Sequence, residues 1–265
     1  VILDKAGNLY GTALFGGLLT DCASTGCGVV FKLTPGAIWT ETILHNFIES
    51  DGALPSAGLI FDNAGNLYGT TMAGGASTAC QGDPANGCGA VFRLSPSGGA
   101  WVETTLHSFY VKNTDGAYPS GALTLHGGQL FGTTDGGGTH DQGTVFELTI
   151  SKTASSEKVI YSFAGGTDGD EPSSAVVFDN AGNLYGTTDH GANTDCNGYG
   201  CGAVFELTPS KSTWTETLLY RFTGSDDGAN PGKSLIVRNG QSLLGTTSTG
   251  GVDAAGLVFE LGPID

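Results

Sequence analysis

Apolar and polar positions alternate along this chain in short runs, and no stretch shows the three-to-four spacing of an amphipathic helix. Residues 58–109 illustrate the pattern. Gly58-Leu59-Ile60-Phe61-Asp62 is an apolar run ended by Asn63-Ala64-Gly65, and Asn66-Leu67-Tyr68-Gly69-Thr70-Thr71 follows it. A third run from Ala90 to Ser95 stops at Pro96, and a fourth extends from Trp101 to Phe109. Short runs rich in Val, Thr, Phe and Tyr between Gly, Asn and Pro clusters read as strands. The pattern therefore predicts four antiparallel strands, with an Asn/Gly turn after the first and a stop at Pro96, which cannot continue a central strand.

The whole unit recurs. Asn66-Leu67-Tyr68-Gly69-Thr70-Thr71 has counterparts centred on Gly11, Gly132, Gly186 and Gly245, 54 to 63 residues apart. Gly89-Ala90-Val91-Phe92-Arg93-Leu94 has counterparts beginning at Gly28, Gly143, Gly202 and Gly256. Four strands repeated five times predict an all-β fold, a five-bladed β-propeller in one domain, 1–265. The repeats run approximately 1–57, 58–121, 122–174, 175–234 and 235–265. An elongated stack of β units is the alternative, but a ring hides sheet edges better. Paired apolar residues such as Val91-Phe92 suit a middle strand buried on both faces. The small Gly-Thr-Thr residues would let blades converge near an axis.

The last repeat is short. Fourth strands are expected at Trp39–Phe47, Trp101–Phe109, Ser155–Phe163 and Trp214–Phe222, and none follows Leu261. The last blade is thus expected to lack its own outer strand. Either residues ahead of Val1 supply that strand, or the edge Leu257, Val258, Phe259, Glu260 and Leu261 takes one from another molecule.

Composition narrows the partners. Glycine accounts for 45 residues, yet 39% of the chain is hydrophobic, so this is a packed protein rather than a linker. Ten Lys and Arg against 26 Asp and Glu give a net charge of −16, which disfavours nucleic acid. No apolar run is long enough for a spanning helix. Neither a signal peptide nor a targeting segment is visible, and Val1 fits a processed terminus or part of a longer chain. The six cysteines form three close pairs, Cys22 with Cys27, Cys80 with Cys88 and Cys196 with Cys201, each in the same place in its repeat. Two repeats lack both members at once, which is the signature of local disulfides rather than half a zinc site. Disulfides imply an extracellular, cell-surface or periplasmic location.

The Asp-x-x-Gly-Asn-Leu-Tyr phrase followed by a Val-Phe strand is similar to the blade pattern of NHL-type propellers. Gly-Asn-Leu-Tyr-Gly-Thr-Thr combined with Gly-x-Val-Phe-x-Leu resembles more closely the bacterial "choice-of-anchor" tandem repeats called GloVer, over essentially the whole chain. That resemblance implies an extracellular or surface-anchored repeat protein and implies no reaction. An anchor segment is not visible at either end.

Candidate chemistry is spread over the repeats. The loops beginning Asp51-Gly52, Asp115-Gly116, Asp168-Gly169 and Asp227-Gly228 each end in Pro. Asp51, Asp115, Asp168 and Asp227 are weak calcium candidates; as turn caps, each would serve only its own loop. His45 and His107 occupy the position of Tyr161 and Tyr220 and read as packing residues. His140-Asp141 and Asp189-His190 follow Gly-Thr-Thr phrases without a shared role, and His126 stands apart. Trp39, Trp101 and Trp214 would pack between blades or stack on sugars. No nucleophile elbow, zinc-protease helix or phosphate loop is present. Acidic residues are too many for sequence alone to pick out a glycosidase pair. A catalytic site breaks symmetry, and no unique acid–base cluster stands out.

These features lead to the expectation of a non-catalytic surface scaffold or assembly subunit that self-associates by strand exchange at the last blade. It is not expected to be an enzyme or to carry a cofactor. The alternatives are a lectin-like binder of carbohydrate or another cell-surface ligand and, further down, a polysaccharide hydrolase or lyase.

Overall fold

The computed structural model describes residues 1–81, 85–110, 115–151, 155–211, 213–232 and 234–264. It is all-β and built from antiparallel sheets. Among the described residues the helical elements are two 3-10 turns, Cys22–Ser24 and Cys196–Gly198. Four sheets have four strands in sequence order. The first comprises Ile2–Leu3, Leu9–Ala13, Val29–Thr34 and Thr40–Asn46. The second comprises Ile60–Phe61, Leu67–Thr71, Ala90–Ser97 and Ala100–Ser108. The third comprises Thr124–His126, Gln129–Thr134, Thr144–Thr149 and Ser156–Ser162. The fourth comprises Val177–Phe178, Leu184–Thr188, Ala203–Ser210 and Thr213–Arg221. In the fifth, Ser242–Thr249 lies between Ile236–Arg238 and Val258–Leu261, and its far end pairs with Ala229–Pro231.

The turn between the first two strands of a repeat is organised by one carboxylate. Asp62 Oδ1 accepts hydrogen bonds from the Ala64 and Asn66 backbone amides, both at 2.9 Å. Its Oδ2 accepts from Asn66 Nδ2 at 2.6 Å and from the Tyr68 hydroxyl at 3.0 Å. Asp4 and Asp179 do the same with Asn8 and Tyr10, and with Asn183 and Tyr185. The repeated Asp-x-x-Gly-Asn-Leu-Tyr phrase is thus a self-contained turn: charge-assisted hydrogen bonds satisfy two backbone amides, a side-chain amide and a phenol at once.

The glycine after Tyr has a packing reason that the sequence did not show. Gly69 pairs with Phe92 on the adjacent strand, and a Cβ on Gly69 would stand 2.6 Å from the Phe92 ring. Gly186 is covered in the same way by Phe205. The residue makes room for an aromatic of its own sheet. Strand ends also differ from expectation. Ala90–Ser97 runs through Pro96, which pairs with Trp101. The neighbouring inner strand ends its pairing at Leu67 with Leu94, so the side of Pro96 that lacks an N–H needs no partner.

The chain divides into two compact units. Unit 1 is Val1–Lys112, Ala117–Leu130 and Leu148–Glu157. Its core holds Tyr10, Val30, Phe47, Leu59, Leu67, Phe92 and Leu94. Phe47, just past an outer strand, meets Phe92 edge-on at 5.0 Å, and Tyr10 meets Phe61 at 5.1 Å. Unit 2 is Asn113–Gly116, Phe131–Glu147 and Lys158–Asp265. There Phe163 meets Phe205 at 5.1 Å and Phe222 meets Phe259 at 5.2 Å. The same contact, outer-strand Phe against the third-strand Phe of the next sheet, is therefore the repeating joint inside each unit. Such edge-to-face pairs add about 1 kcal/mol to the burial of their rings.

Candidate functional site

The aspartates of the Asp-Gly loops are turn caps. Asp51 Oδ1 accepts from the Ile48 amide at 2.9 Å. Asp168 accepts from the Ala164 and Gly169 amides, each at 2.9 Å, and Asp227 accepts from the Thr223 amide and hydroxyl. Asp115 accepts from the Gly116 amide at 2.8 Å. Their second partner explains the His/Tyr exchange on the outer strands. His45 Nε2 lies 3.1 Å from Asp51, while the Tyr161 and Tyr220 hydroxyls donate to Asp168 and Asp227 at 3.1 and 3.0 Å. Imidazole and phenol are interchangeable here because each places a donor on the loop carboxylate. The rings also pack, His45 on Phe47 at 4.8 Å and His107 on Phe109 at 4.7 Å. Beside the Asp51 and Asp168 caps lies a glutamate of the next outer strand. Burial, and then the charge of Asp51, raise the Glu103 carboxyl; burial and Asp168 push Glu216 up to about 7.

One loop breaks the repeat. Where the other loops carry Ala53, Ala117 and Ala229, this one carries Asp170, and Glu171 follows it. Glu171 shares a left-handed backbone (φ 53°) with Leu54, Tyr118 and Asn230 at the matching positions. A non-glycine residue held there is a strained position that the surrounding bonds must impose. Those bonds are from the Glu171 amide to the Gln142 carbonyl and from the Asp189 amide to the Glu171 carbonyl. The short pair Gly169–Asp170 and His190–Gly191 sets Asp170 opposite His190. Three side chains meet as a result. His190 Nδ1 is 3.1 Å from Glu171 Oε2 and 3.8 Å from Asp189 Oδ2. All three are partly solvent-accessible, at 30% for His190, 51% for Glu171 and 35% for Asp189. Burial, then the Glu171 charge, raise the Asp170 carboxyl above its ordinary range.

Of the three clustered side chains, His190 reaches a cleft of about 370 Å³ whose lining also includes Asn197, Tyr199, Asn230 and Thr249. Tyr199 is 73% exposed, an unusual state for an aromatic ring held by ordered backbone. Its loop is closed by the Cys196–Cys201 disulfide, and its carbonyl accepts from the Gly191 amide at 2.9 Å. Gly200 cannot be replaced there, since a Cβ would run into the Gly191 backbone. Asn230 Nδ2 donates to the Asp189 carbonyl at 3.0 Å, and Thr249 Oγ1 bonds Asn230 Oδ1 at 2.8 Å. The site is thus a pair of carboxylates and an imidazole beside an aromatic platform and amide and hydroxyl groups. Such a set can bind hydroxylated ligands and transfer protons.

The remaining expected residues fall as follows. All three cysteine pairs, Cys22–Cys27, Cys80–Cys88 and Cys196–Cys201, are disulfides. Trp101 and Trp214 pack against Tyr10 and Phe131 at 6.2 and 6.4 Å, whereas Trp39 is half exposed. The Val258–Leu261 edge pairs, among the described residues, with Ser242–Thr249. It lines a groove of about 270 Å³ with Tyr220, Phe222 and Asp227. A separate polar cleft in unit 1 is lined by residues including Glu49, Ser77 and Asn86; Glu49 Oε1 accepts from the Asn86 amide at 2.7 Å. Sequence reasoning set aside Asp189-His190 and missed Glu171, Tyr199 and Asn230. The available signal was the doubled acid Asp170-Glu171 in a loop that elsewhere begins Asp-Gly-Ala.

The sequence profile of the Gloeobacter/Verrucomicrobia repeat matches residues 1–196, and the chain belongs to that family. No curated protein matches it. Among solved structures it is similar to a luciferin-regenerating enzyme, with a TM-score of 0.51 and 16% identity over 91% of this chain and 75% of that one. It is similar to Trypanosoma rangeli sialidase in complex with sialic acid, with a TM-score of 0.50 and 12% identity, covering 98% of this chain and 45% of the sialidase. A GH43 endo-arabinanase from Bacillus licheniformis follows at a TM-score of 0.48 and 15% identity, covering 98% and 91%. The fold class is the β-propeller type. These likenesses correct two expectations. A chain of this design was expected to be a non-catalytic scaffold assembling by strand exchange, and not an enzyme; the luciferin-regenerating enzyme and the sialidase, which share its fold, are enzymes. The physical reason is that a repeated frame leaves its loops free to vary, so regular strands carry no argument against a site at one loop. The three disulfides indicate a non-cytosolic protein.

Proposed function

We propose that this member of the Gloeobacter/Verrucomicrobia repeat family is an exported, carbohydrate-active protein that hydrolyses glycosidic bonds at the Glu171–Asp189–His190 cluster. The observation that carries the reading is the break in symmetry. Two carboxylates and an imidazole, with ligand atoms all within 4.8 Å of one another, sit at one loop pair beside an exposed aromatic ring. The carbohydrate-acting enzymes among the solved structures of this fold support the substrate class. The five repeats would form five blades, with the propeller outside the cell and held at its surface as the choice-of-anchor resemblance implies.

The chemistry follows from the spacing. Carboxyl pairs about 5 Å apart suit double displacement, in which one carboxylate attacks the anomeric carbon while the other carboxyl protonates the departing oxygen. Water then cleaves the glycosyl ester with the second group acting as base. Glu171, the more exposed of the two carboxylates and 3.1 Å from His190 Nδ1, takes the nucleophile's part. Asp189, 3.8 Å from the same nitrogen, is the proton donor. The test is release of reducing ends from a panel of soluble polysaccharides by the intact chain and by Glu171→Gln and Asp189→Asn. Cleavage by the wild type that falls at least about 100-fold in both variants is the expected result. Equal rates in wild type and variants would place the chemistry elsewhere.

A further inference from the structure

We propose that the cleft beside Tyr199 selects uncharged glycan chains and rejects sugar acids, with the Tyr199 ring as the stacking platform for a sugar face. This rests on the carbohydrate-active reading above and adds the substrate's charge to it.

The lining carries the argument. A sugar carboxylate or sulfate is held in proteins by Arg or Lys, whose donors match its oxygens. Among the described residues, no Lys or Arg lines this cleft. The polar groups that do are Asn197, Asn230, Thr249 and His190, which can hydrogen-bond hydroxyls but supply no fixed positive charge. The imidazole is already engaged by Glu171 and Asp189, so it is not free to neutralise an incoming anion. The acids around that imidazole disfavour an anion: Glu171 and Asp189 put their carboxylates beside His190, the residue through which they reach the lining, and Asp170 stands opposite it in the strand pair. The whole chain carries −16, so its long-range field works in the same direction.

The platform is built before any ligand arrives. Tyr199 is fixed by the short Cys196–Cys201 disulfide loop, by the hydrogen bond that its carbonyl accepts from the Gly191 amide, and by edge contact of its ring with His190 at 6.2 Å. An exposed ring whose backbone is rigid loses little freedom on stacking, which favours binding. Its neighbours Asn230 and Thr249 are also fixed by their mutual hydrogen bond.

The experiment compares calorimetric affinities of the intact protein for two sets of oligosaccharides of equal length: neutral glucan, mannan and arabinan oligomers, and oligogalacturonates. The expected result is binding of at least one neutral set, with the uronates at least about tenfold weaker at low salt and the gap narrowing in 0.5 M salt as charges are screened. Tyr199→Ala should weaken the neutral ligand at least about tenfold, and Tyr199→Trp should retain it. The exposed position of Tyr199 keeps folding out of the comparison. The double variant Glu171→Gln, Asp189→Asn should close the gap between neutral and acidic ligands. Uronates that bind as well as neutral chains overturn the charge selection and leave the carbohydrate reading standing. Failure of every glycan to bind overturns both.

Discussion

Glu216 provides the sharpest test of how the carboxylates of this protein are held. It lies on the outer strand Thr213–Arg221, and its Oε1 is buried without a hydrogen-bond partner. Burial, and then the charge of Asp168, push its carboxyl from 4.5 up to about 7, with Arg221 acting in the opposite direction. Because the folded value is raised, the folded chain holds the proton more tightly than the unfolded one. The stabilising contribution is fully present below 4.5 and is lost as pH rises through 7. A rise of that size corresponds to at most about 3 kcal/mol. The group is only half shielded, so solvent screening reduces this to about 1–2 kcal/mol. Glu216→Gln keeps the shape and removes the charge. Thermal melts should show the variant level with the wild type at about pH 4 and higher by about 2–8 °C at about pH 8. A variant destabilised equally at both values would refute the reasoning, because it would mean that Glu216 acts through a hydrogen bond and not as a burdened charge.

Other predictions follow from the same structure. Phe205→Ala removes the ring that fills the joint with Phe163 and covers Gly186, and should cost about 3–5 kcal/mol in urea unfolding. Asp179→Ala deletes the acceptor of the Ala181, Asn183 and Tyr185 bonds and should cost about 2–3 kcal/mol at pH 7. Burial raises that carboxyl but the Asn183 and Tyr185 bonds outweigh it and hold it below 3.8, so the cost should shrink as pH falls through the folded value. Replacing Cys196 and Cys201 by Ser should lower stability by about 2 kcal/mol for so short a loop. It should also weaken glycan binding through the freed Tyr199, which calorimetry would read.

Much of the architecture was legible because the repeat states it five times. The Leu67–Thr71 and Ala90–Ser97 strands, the turn before the first and the disulfide loops all follow from local chemistry: short apolar runs, an Asn/Gly cluster between them, two cysteines in one loop. The carboxylate that closes the turn and the phenylalanine over the glycine came only with the structure. The run through Pro96 was not legible, since it depends on which neighbour the strand has lost by that point. The site was hidden for a related reason. Glu171, Asp189 and Tyr199 are far apart along the chain and meet only because the Gly169–Asp170 and His190–Gly191 segments pair and Gly191 bonds the Tyr199 carbonyl. Asp168 and Glu216 were equally opaque: the sequence shows an acid in each place, but only packing shows that burial raises one of them.

The most direct test of the central claim is a crystal structure of the Glu171→Gln protein with a neutral oligosaccharide bound. The account predicts the glycosidic oxygen between residue 171 and Asp189, with an adjacent ring stacked on Tyr199. Sugar bound instead in the cleft of Glu49 and Asn86, or in the groove of Phe222 and Phe259, would contradict it.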